Sequence, residues 1–193
     1  AYKSGVIKGI TTYRDGTMTS VLSSVEKKEI STKKRPKKLP CDIHHPTIKG
    51  MKYYVAIGLD DNDKPYEIFA GENGIDKDIS SGFIQRIRNG RYSLIADNEV
   101  IIEDMGERCS NEEEAVARLA SISLRNGVEI QSIVDQLEKT KGSLSGFAKV
   151  MCRILRKYIP ESAKCNDQCP ECKDNLVYQE GCKKCVNCGF SKC

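Results

Sequence analysis

The chain has 193 residues, of which 39% are hydrophobic and 30% charged, and its formal net charge is +4. This length allows one core domain with an appendage, and so small a net charge does not by itself indicate a nucleic-acid partner. No apolar run approaches the length of a membrane-spanning helix and no signal peptide opens the chain, so we expect no membrane contact. Seven of the ten cysteines lie in residues 165–193 and include two closely spaced pairs, which favours metal binding in a reducing, cytoplasmic setting over a disulfide scaffold.

The first 38 residues predict one strand followed by a basic linker. Residues 5–13 are rich in β-branched side chains, and residues 14–17 carry a turn signal. One strand cannot stand alone, so we expect it to join a sheet outside this chain. Residues 25–38 contain six lysines and one arginine. We interpret this run as a solvated connector, with contact to phosphate or to an acidic surface as the alternative.

Two β-hairpins are predicted in the next part of the chain, each with a polar turn between two β-rich segments. Between the hairpins, residues 79–89 are interpreted as a short helix that ends near Gly90. The paired segments are residues 52–59 with 65–70, and residues 92–96 with 100–104.

His44 and His45 lie close to Cys41 and Asp42, and all of these residue types can bind metals. Adjacent side chains on a strand point to opposite faces of the sheet, so the two histidines would not easily share one ion. We therefore predict a structural role for them.

Three helices are predicted before Pro160. Ser110 and Glu113 form a capping box at the start of the first helix, which ends at Asn126 and Gly127. Apolar spacing marks the side of each helix that should face the core. The predicted core positions are Ala115, Leu119, Ile122 and Leu124, then Ile130, Ile133, Val134 and Leu137, then Phe147, Val150, Met151, Ile154 and Leu155.

The predicted fold class is α+β, with a small antiparallel sheet of hairpins packed on about three helices. Cys152 falls on the third helix and is predicted to be a small buried hydrophobe. Residues 160–168 are interpreted as a linker to a cysteine-rich tail, which completes the predicted architecture.

The tail contains two Cys-x-x-Cys pairs, Cys169 with Cys172 and Cys185 with Cys188. Two residues between thiolates let a tight turn direct both sulfurs at one point, and two facing turns then supply four ligands in a tetrahedron. The sequence therefore predicts a zinc ribbon, in which the metal supplies the folding energy that so small a module cannot obtain from burial. Cys182 and Cys185 have the same spacing, so a pair formed by these two residues is the alternative.

Three cysteines of the tail, Cys165, Cys182 and Cys193, remain unassigned by this pattern. They could be spare thiols, or one of them could replace an assigned zinc ligand. The other interpretation is a mobile dithiol that shuttles electrons, because a terminal cysteine is exposed and free to attack a disulfide.

Several segments together resemble the C-terminal part of adenosylcobalamin-dependent (class II) ribonucleotide reductases. Residues 9–17 (GITTYRDGT), 39–45 (LPCDIHH) and 65–69 (PYEIF) carry this resemblance in order along the chain. Residues 125–137 (RNGVEIQSIVDQL) look like the helical part of that region, which is often catalogued as a TSCPD domain. Residues 179–193 (QEGCKKCVNCGFSKC) look like the zinc-ribbon tail of the same enzymes.

The resemblance implies a role in converting ribonucleotides to deoxyribonucleotides. In this family the radical chemistry takes place in a ten-stranded α/β barrel, where a cysteine pair is oxidised at each turnover. C-terminal cysteines reduce that pair and are reduced in turn by thioredoxin or a similar donor. The iron-dependent enzymes of this family usually have two adjacent tyrosines at the position of Thr12-Tyr13. The single tyrosine here favours the cobalamin class. The implied division is residues 1–24 as the end of the barrel, 25–38 as the linker, 39–160 as a TSCPD-like domain and 161–193 as the zinc-ribbon tail.

On this resemblance Cys182 and Cys193 would relay electrons, while Cys169, Cys172, Cys185 and Cys188 would bind zinc. Residues 161–168 would be a flexible tether, and Lys183, Lys184 and Lys192 could lower the pKa of the relay thiols. Adenosylcobalamin would bind in the complete enzyme, mostly outside this chain. The radical site would also lie outside it, so we expect no activity without the catalytic barrel and a thioredoxin-like reductant.

Two other classes of function fit parts of the sequence. A zinc ribbon with a lysine-rich linker would suit a nucleic-acid-binding module, although the tail has few aromatic residues for stacking on bases. Alternatively, the mixed domain could be a dimerisation or docking unit in which zinc only stabilises the tail.

Overall fold

The structure is a computed structural model that describes residues 35–107 and 109–192. The strand expected in residues 5–13, most of the linker expected in residues 25–38, and Cys193 lie outside the described residues.

Seven strands form one antiparallel sheet in the first part of the described chain. They are β1 (Lys38–His44), β2 (Thr47–Ile48), β3 (Met51–Leu59), β4 (Pro65–Glu72), β5 (Ser81–Arg88), β6 (Arg91–Ala96) and β7 (Glu99–Ile102). The strand order is β2-β3-β1-β5-β6-β7. Strand β4 lies outside this order and also pairs with β3. Both predicted hairpins, β3–β4 and β6–β7, are confirmed, but β1 and β5 join them into a larger sheet than the sequence indicated.

The helix predicted in residues 79–89 is wrong, because β5 occupies this segment. Asn89 and Gly90 form a two-residue connection that turns the chain back into β6, and Gly90 has a positive φ of 76°. The new strand then hydrogen-bonds to β1 on one side and β6 on the other. Ile84, at its centre, is completely buried. Pairing on both sides therefore outweighs the local pattern that suggested a helix.

The central strand β3 is buried on both faces of the sheet, as its nearly continuous apolar sequence requires. Tyr53, Val55 and Ile57 pack into a core with the helices. Tyr54 and Ala56 point the other way and pack into a second core formed by the sheet itself and the segment that follows it. That second core includes Cys41, Ile43, Ile84, Leu94, Ile102 and Met105.

Three helices follow the sheet: α1 (Asn111–Arg125), α2 (Ile130–Glu138) and α3 (Phe147–Arg156). The capping box of Ser110 and Glu113 is present at the start of α1. The α+β class is thus confirmed, with antiparallel strands and three helices in the described part of the chain. No helix among the described residues is long and apolar enough to span a membrane.

The predicted core face of α1 is wrong for most of its positions, although Leu124 is partly buried against the core. Leu119 and Ile122 are 66% and 52% exposed. The buried residues of α1 are Ala117, Ala120 and Ser121. These small side chains let the helix lie close against β4, where the Ser121 hydroxyl accepts a hydrogen bond from the backbone N–H of Ile68 at 2.8 Å. A backbone contact of this kind leaves no apolar period in the sequence.

The last four strands form a second antiparallel sheet, which we call the C-terminal ribbon (residues 164–192). They are β8 (Lys164–Gln168), β9 (Asn175–Gln179), β10 (Cys182–Cys185) and β11 (Ser191–Lys192), in the order β11-β10-β9-β8. Residues 164–168, expected to belong to a flexible tether, are instead strand β8 and pair with β9. Glu180 and Gly181, with φ values of 53° and 75°, form the two-residue turn between β9 and β10.

Candidate metal centre

Four cysteine sulfurs converge at one end of the ribbon. The Sγ atoms of Cys169, Cys172, Cys185 and Cys188 all lie within 4.8 Å of one another. Two of these distances, Cys169 to Cys188 and Cys172 to Cys185, are 3.4 Å. A tetrahedral zinc site with bonds of about 2.3 Å would place its sulfurs about 3.8 Å apart. The cluster therefore fits a zinc-binding site with four thiolate ligands.

The two Cys-x-x-Cys turns have the same backbone geometry. In the first, the N–H of Lys173 donates to the carbonyl of Cys169 at 3.0 Å, and in the second Gly189 donates to Cys185 at 3.0 Å. Lys173 and Gly189 both have a positive φ, 64° and 79°. This left-handed residue folds the chain back after each pair, so that both sulfurs of the pair point toward the other turn.

The first cysteine of each pair is buried and the second is more accessible. Cys169 and Cys185 are 0% and 3% exposed, whereas Cys188 is exposed. Burial raises the pKa of the Cys169 thiol, but hydrogen bonds from the N–H groups of Cys172 and Glu171 outweigh it and lower this pKa to about 7. These hydrogen bonds favour the thiolate form at Cys169, whereas hydrogen bonds with neighbouring cysteine thiols raise the pKa of Cys172 and of Cys188.

Cys182 lies outside the four-cysteine cluster. It shares β10 with Cys185, but side chains alternate along a strand, and three steps separate the two residues. They therefore point to opposite faces, which excludes the alternative Cys182–Cys185 pair. Cys182 is disulfide-bonded.

The other described cysteines are free, and those in the cores are poor nucleophiles. Burial raises the pKa of Cys41 to about 12 and that of Cys165 to about 11. Cys152 is 2% exposed, as predicted for a small buried hydrophobe. None of these three thiols is suited to disulfide exchange.

Lys183 does not face Cys182, contrary to the idea that it lowers the pKa of that thiol. Its side chain is 3% exposed, and its ammonium lies 2.7 Å from Glu138 and 2.6 Å from Asp167. Burial tends to lower the pKa of Lys183, but the hydrogen bonds to these carboxylates raise it, so the group stays charged. Sequence reasoning missed this ion cluster, although the Glu180-Gly181 turn signal could have indicated which way Lys183 points.

The two histidines make separate contacts, in keeping with the predicted structural role. His44 Nε2 lies 2.8 Å from the hydroxyl of Tyr158, which donates to Asp42 at 2.8 Å. His45 Nε2 lies 2.8 Å from the carbonyl oxygen of Ile79. These contacts fasten β1 to the end of α3 and to the segment before β5.

Together these features define an α+β domain that carries a four-cysteine site in a C-terminal ribbon. Residues 39–160 match the family model described as NrdJ homologue C-terminal domain. The match spans more than half of the 193 residues, and the chain belongs to this family. The family links the chain to the C-terminal region of class II, B12-dependent ribonucleotide reductases. Searches among curated proteins and among solved structures found no significant match.

Proposed function

We propose that the chain is the C-terminal portion of a B12-dependent ribonucleoside-diphosphate reductase, and that its tail relays electrons to the active-site disulfide. The family relationship of residues 39–160 supports the link to the reductase. The partner would be the catalytic barrel region of the same enzyme, where adenosylcobalamin supplies the radical chemistry. In this proposal the chain contributes reducing equivalents to the barrel.

The disulfide at Cys182 carries the relay proposal. The eight other described cysteines are all free, so none of them is its partner. We propose Cys182 and Cys193 as the relay pair, because the family resemblance implies this assignment.

The relay is a two-electron exchange between dithiols. A thiolate of the reduced pair attacks the active-site disulfide and forms a mixed disulfide, releasing one active-site thiolate. The second thiol of the pair then attacks the mixed disulfide and releases the other. The active site gains two electrons and two protons, and the Cys182–Cys193 disulfide forms. A thioredoxin-like dithiol reverses this oxidation by the same steps and is itself oxidised.

Zinc has a separate role in this proposal. Cys169, Cys172, Cys185 and Cys188 would hold it, and the metal would stabilise the two turns of the ribbon. Metal-bound thiolates are committed to the ion, so they do not compete with the relay pair for disulfides. This division of roles leaves the ribbon folded in both redox states.

Zinc content and free thiols, measured on anaerobically purified protein, test the proposal. We expect one zinc per chain in the wild type, in Cys182→Ser and in Cys193→Ser. The wild type should form a disulfide that thioredoxin reduces, and both variants should lose it. Cys165→Ser is the matched control, because it removes a buried free thiol and should keep the disulfide. Zinc loss in either relay variant, or a disulfide that persists in it, would refute the assignment.

A further inference from the structure

The ribbon packs firmly against the helices. Leu176 and Tyr178 of β9 are 2% and 1% exposed, and they belong to the same core as Val134 of α2 and Leu155 of α3. Cys165 of β8 is buried in this core as well. The backbone between α3 and β8 is also fastened, since the N–H of Ser162 donates to the carbonyl of Tyr178 at 2.8 Å.

An ion cluster with a buried lysine at its centre lies at this junction. The ammonium of Lys183, on β10, contacts Glu138 of α2 at 2.7 Å and Asp167 of β8 at 2.6 Å, and Asp135 of α2 lies 4.0 Å away. Glu138 also pairs with Arg156 of α3 at 2.8 Å. Lys183 thus joins the ribbon to α2 through the Glu138 carboxylate, which Arg156 of α3 also contacts.

The direction of Lys183 fixes the direction of its neighbour. Lys183 and Cys185 point toward the helices. Side chains alternate along a strand, so Cys182 and Lys184 point away from them. Register agrees, because Lys183 is opposite buried Tyr178 and Cys182 is opposite exposed Gln179. Docking the ribbon through Lys183 therefore turns Cys182 outward.

We propose that Lys183 is a positioning residue that keeps the ribbon docked on α2 and presents the Cys182 disulfide on one fixed outward face. This inference rests on the proposed relay function and concerns whether the ribbon moves during the relay. The ribbon does not swing on a loose tether of residues 161–168. The reductant and the active-site disulfide each reach the pair from the outward face while the ribbon stays in place.

Cys165 provides a built-in reporter of docking, because its free thiol is 7% exposed. In zinc-loaded Lys183→Met, we expect iodoacetamide to modify Cys165 at least about tenfold faster than in the wild type, since the variant removes the buried ammonium that pairs with Glu138 of α2. Lys184→Met is the matched control, because Lys184 lies on the opposite face of the same strand and pairs with exposed Glu180. Peptide mass spectrometry would follow Cys41 in parallel, and it should stay protected because it lies in the other core, which the ribbon does not share.

A second measurement separates positioning from mere stability. Thioredoxin must engage a defined face, whereas dithiothreitol needs none, so Lys183→Met should lower the ratio of the two reduction rates of the Cys182 disulfide by about tenfold. Lys183→Arg, which keeps the charge, should restore that ratio. Glu138→Gln should accelerate Cys165 labelling, as Lys183→Met does.

The outcomes separate this inference from the relay itself. Unchanged Cys165 labelling in Lys183→Met would overturn the docking role, and so would simultaneous labelling of all thiols with loss of zinc. An unchanged rate ratio would overturn the positioning role. If no disulfide forms in the wild type, the relay proposal fails, but Cys165 labelling still reports whether Lys183 docks the ribbon.

Discussion

Replacing Gly189 by alanine should weaken zinc binding through the backbone alone. Gly189 has a φ of 79°, and a Cβ at this position would meet nothing within 4 Å. Holding an L-residue in the left-handed region costs about 1–2 kcal/mol. Alanine also restricts the unfolded chain, which offsets about 0.4–1 kcal/mol of this cost. The net loss is about 1 kcal/mol, or about fivefold in zinc affinity, because binding and folding of the ribbon are coupled.

Chelator competition on the zinc-loaded protein would measure this change. Gly189→Asn is the matched variant, since asparagine tolerates the left-handed conformation, and its zinc affinity should stay within about twofold of the wild type. Lys173 supplies the reciprocal test, because it holds the equivalent position of the first turn with a φ of 64°. Lys173→Gly relieves the left-handed strain but adds chain entropy worth about 0.5–1 kcal/mol, so its affinity should be equal to the wild type or slightly higher.

Two results would refute this reasoning. If Gly189→Ala binds zinc as tightly as the wild type, the left-handed residue does not stabilise the turn. If the alanine and asparagine variants lose the same affinity, the cause is the presence of any side chain rather than the backbone conformation.

Three further predictions concern the stability of the fold. Gly82→Ala should destabilise the sheet by about 1–3 kcal/mol in urea unfolding, because a Cβ at this position lies 2.5 Å from the carbonyl oxygen of Ile95. Leu176→Ala should lower the unfolding free energy of the zinc-loaded protein by about 2–5 kcal/mol, since Leu176 is 2% exposed in the core shared with the helices. Burial, with the positive charge of Lys157, lowers the pKa of His44 below its ordinary value of 6.5. The unfolded state therefore binds the proton first, so the stability that neutral His44 contributes is full above about pH 6.5 and declines as the pH falls through the folded-state pKa. His44→Gln should flatten this part of the curve of unfolding free energy against pH, and an unchanged slope would contradict the assignment.

The helices show which features of the fold were readable from sequence. The capping box at Ser110 and the stop at Gly127 are local signals, and both were read correctly. The apolar spacing did not identify the core-facing side of α1. This helix packs through small residues and through the Ser121 hydroxyl, which hydrogen-bonds to the backbone of β4. Apolar spacing ranks Leu119 above Ser121, whereas contact with a neighbouring strand favours the smaller side chain.

The helix predicted at β5 and the tether predicted at β8 are wrong for a related reason. Each pairs with segments whose positions depend on the whole topology, and neither has a strong apolar alternation of its own. The convergence of the four cysteines was easier to predict, because two residues between cysteines fix the geometry of a turn locally. The ion cluster at Lys183 required the register of β9 against β10, which spacing of cysteines alone does not specify.

The same register would separate the two proposed kinds of thiol chemistry on a single short strand. Cys185 belongs to the four-cysteine cluster, whereas Cys182 lies on the opposite face of β10. A slip of one residue in this strand would exchange the two faces, and would expose Lys183 while burying Cys182. The Glu180-Gly181 turn, with both residues at positive φ, opposes such a slip because it fixes Gln179 opposite Cys182. The turn therefore matters for the proposed relay as much as the cysteines do, since it determines which thiol faces the metal and which faces a reductant.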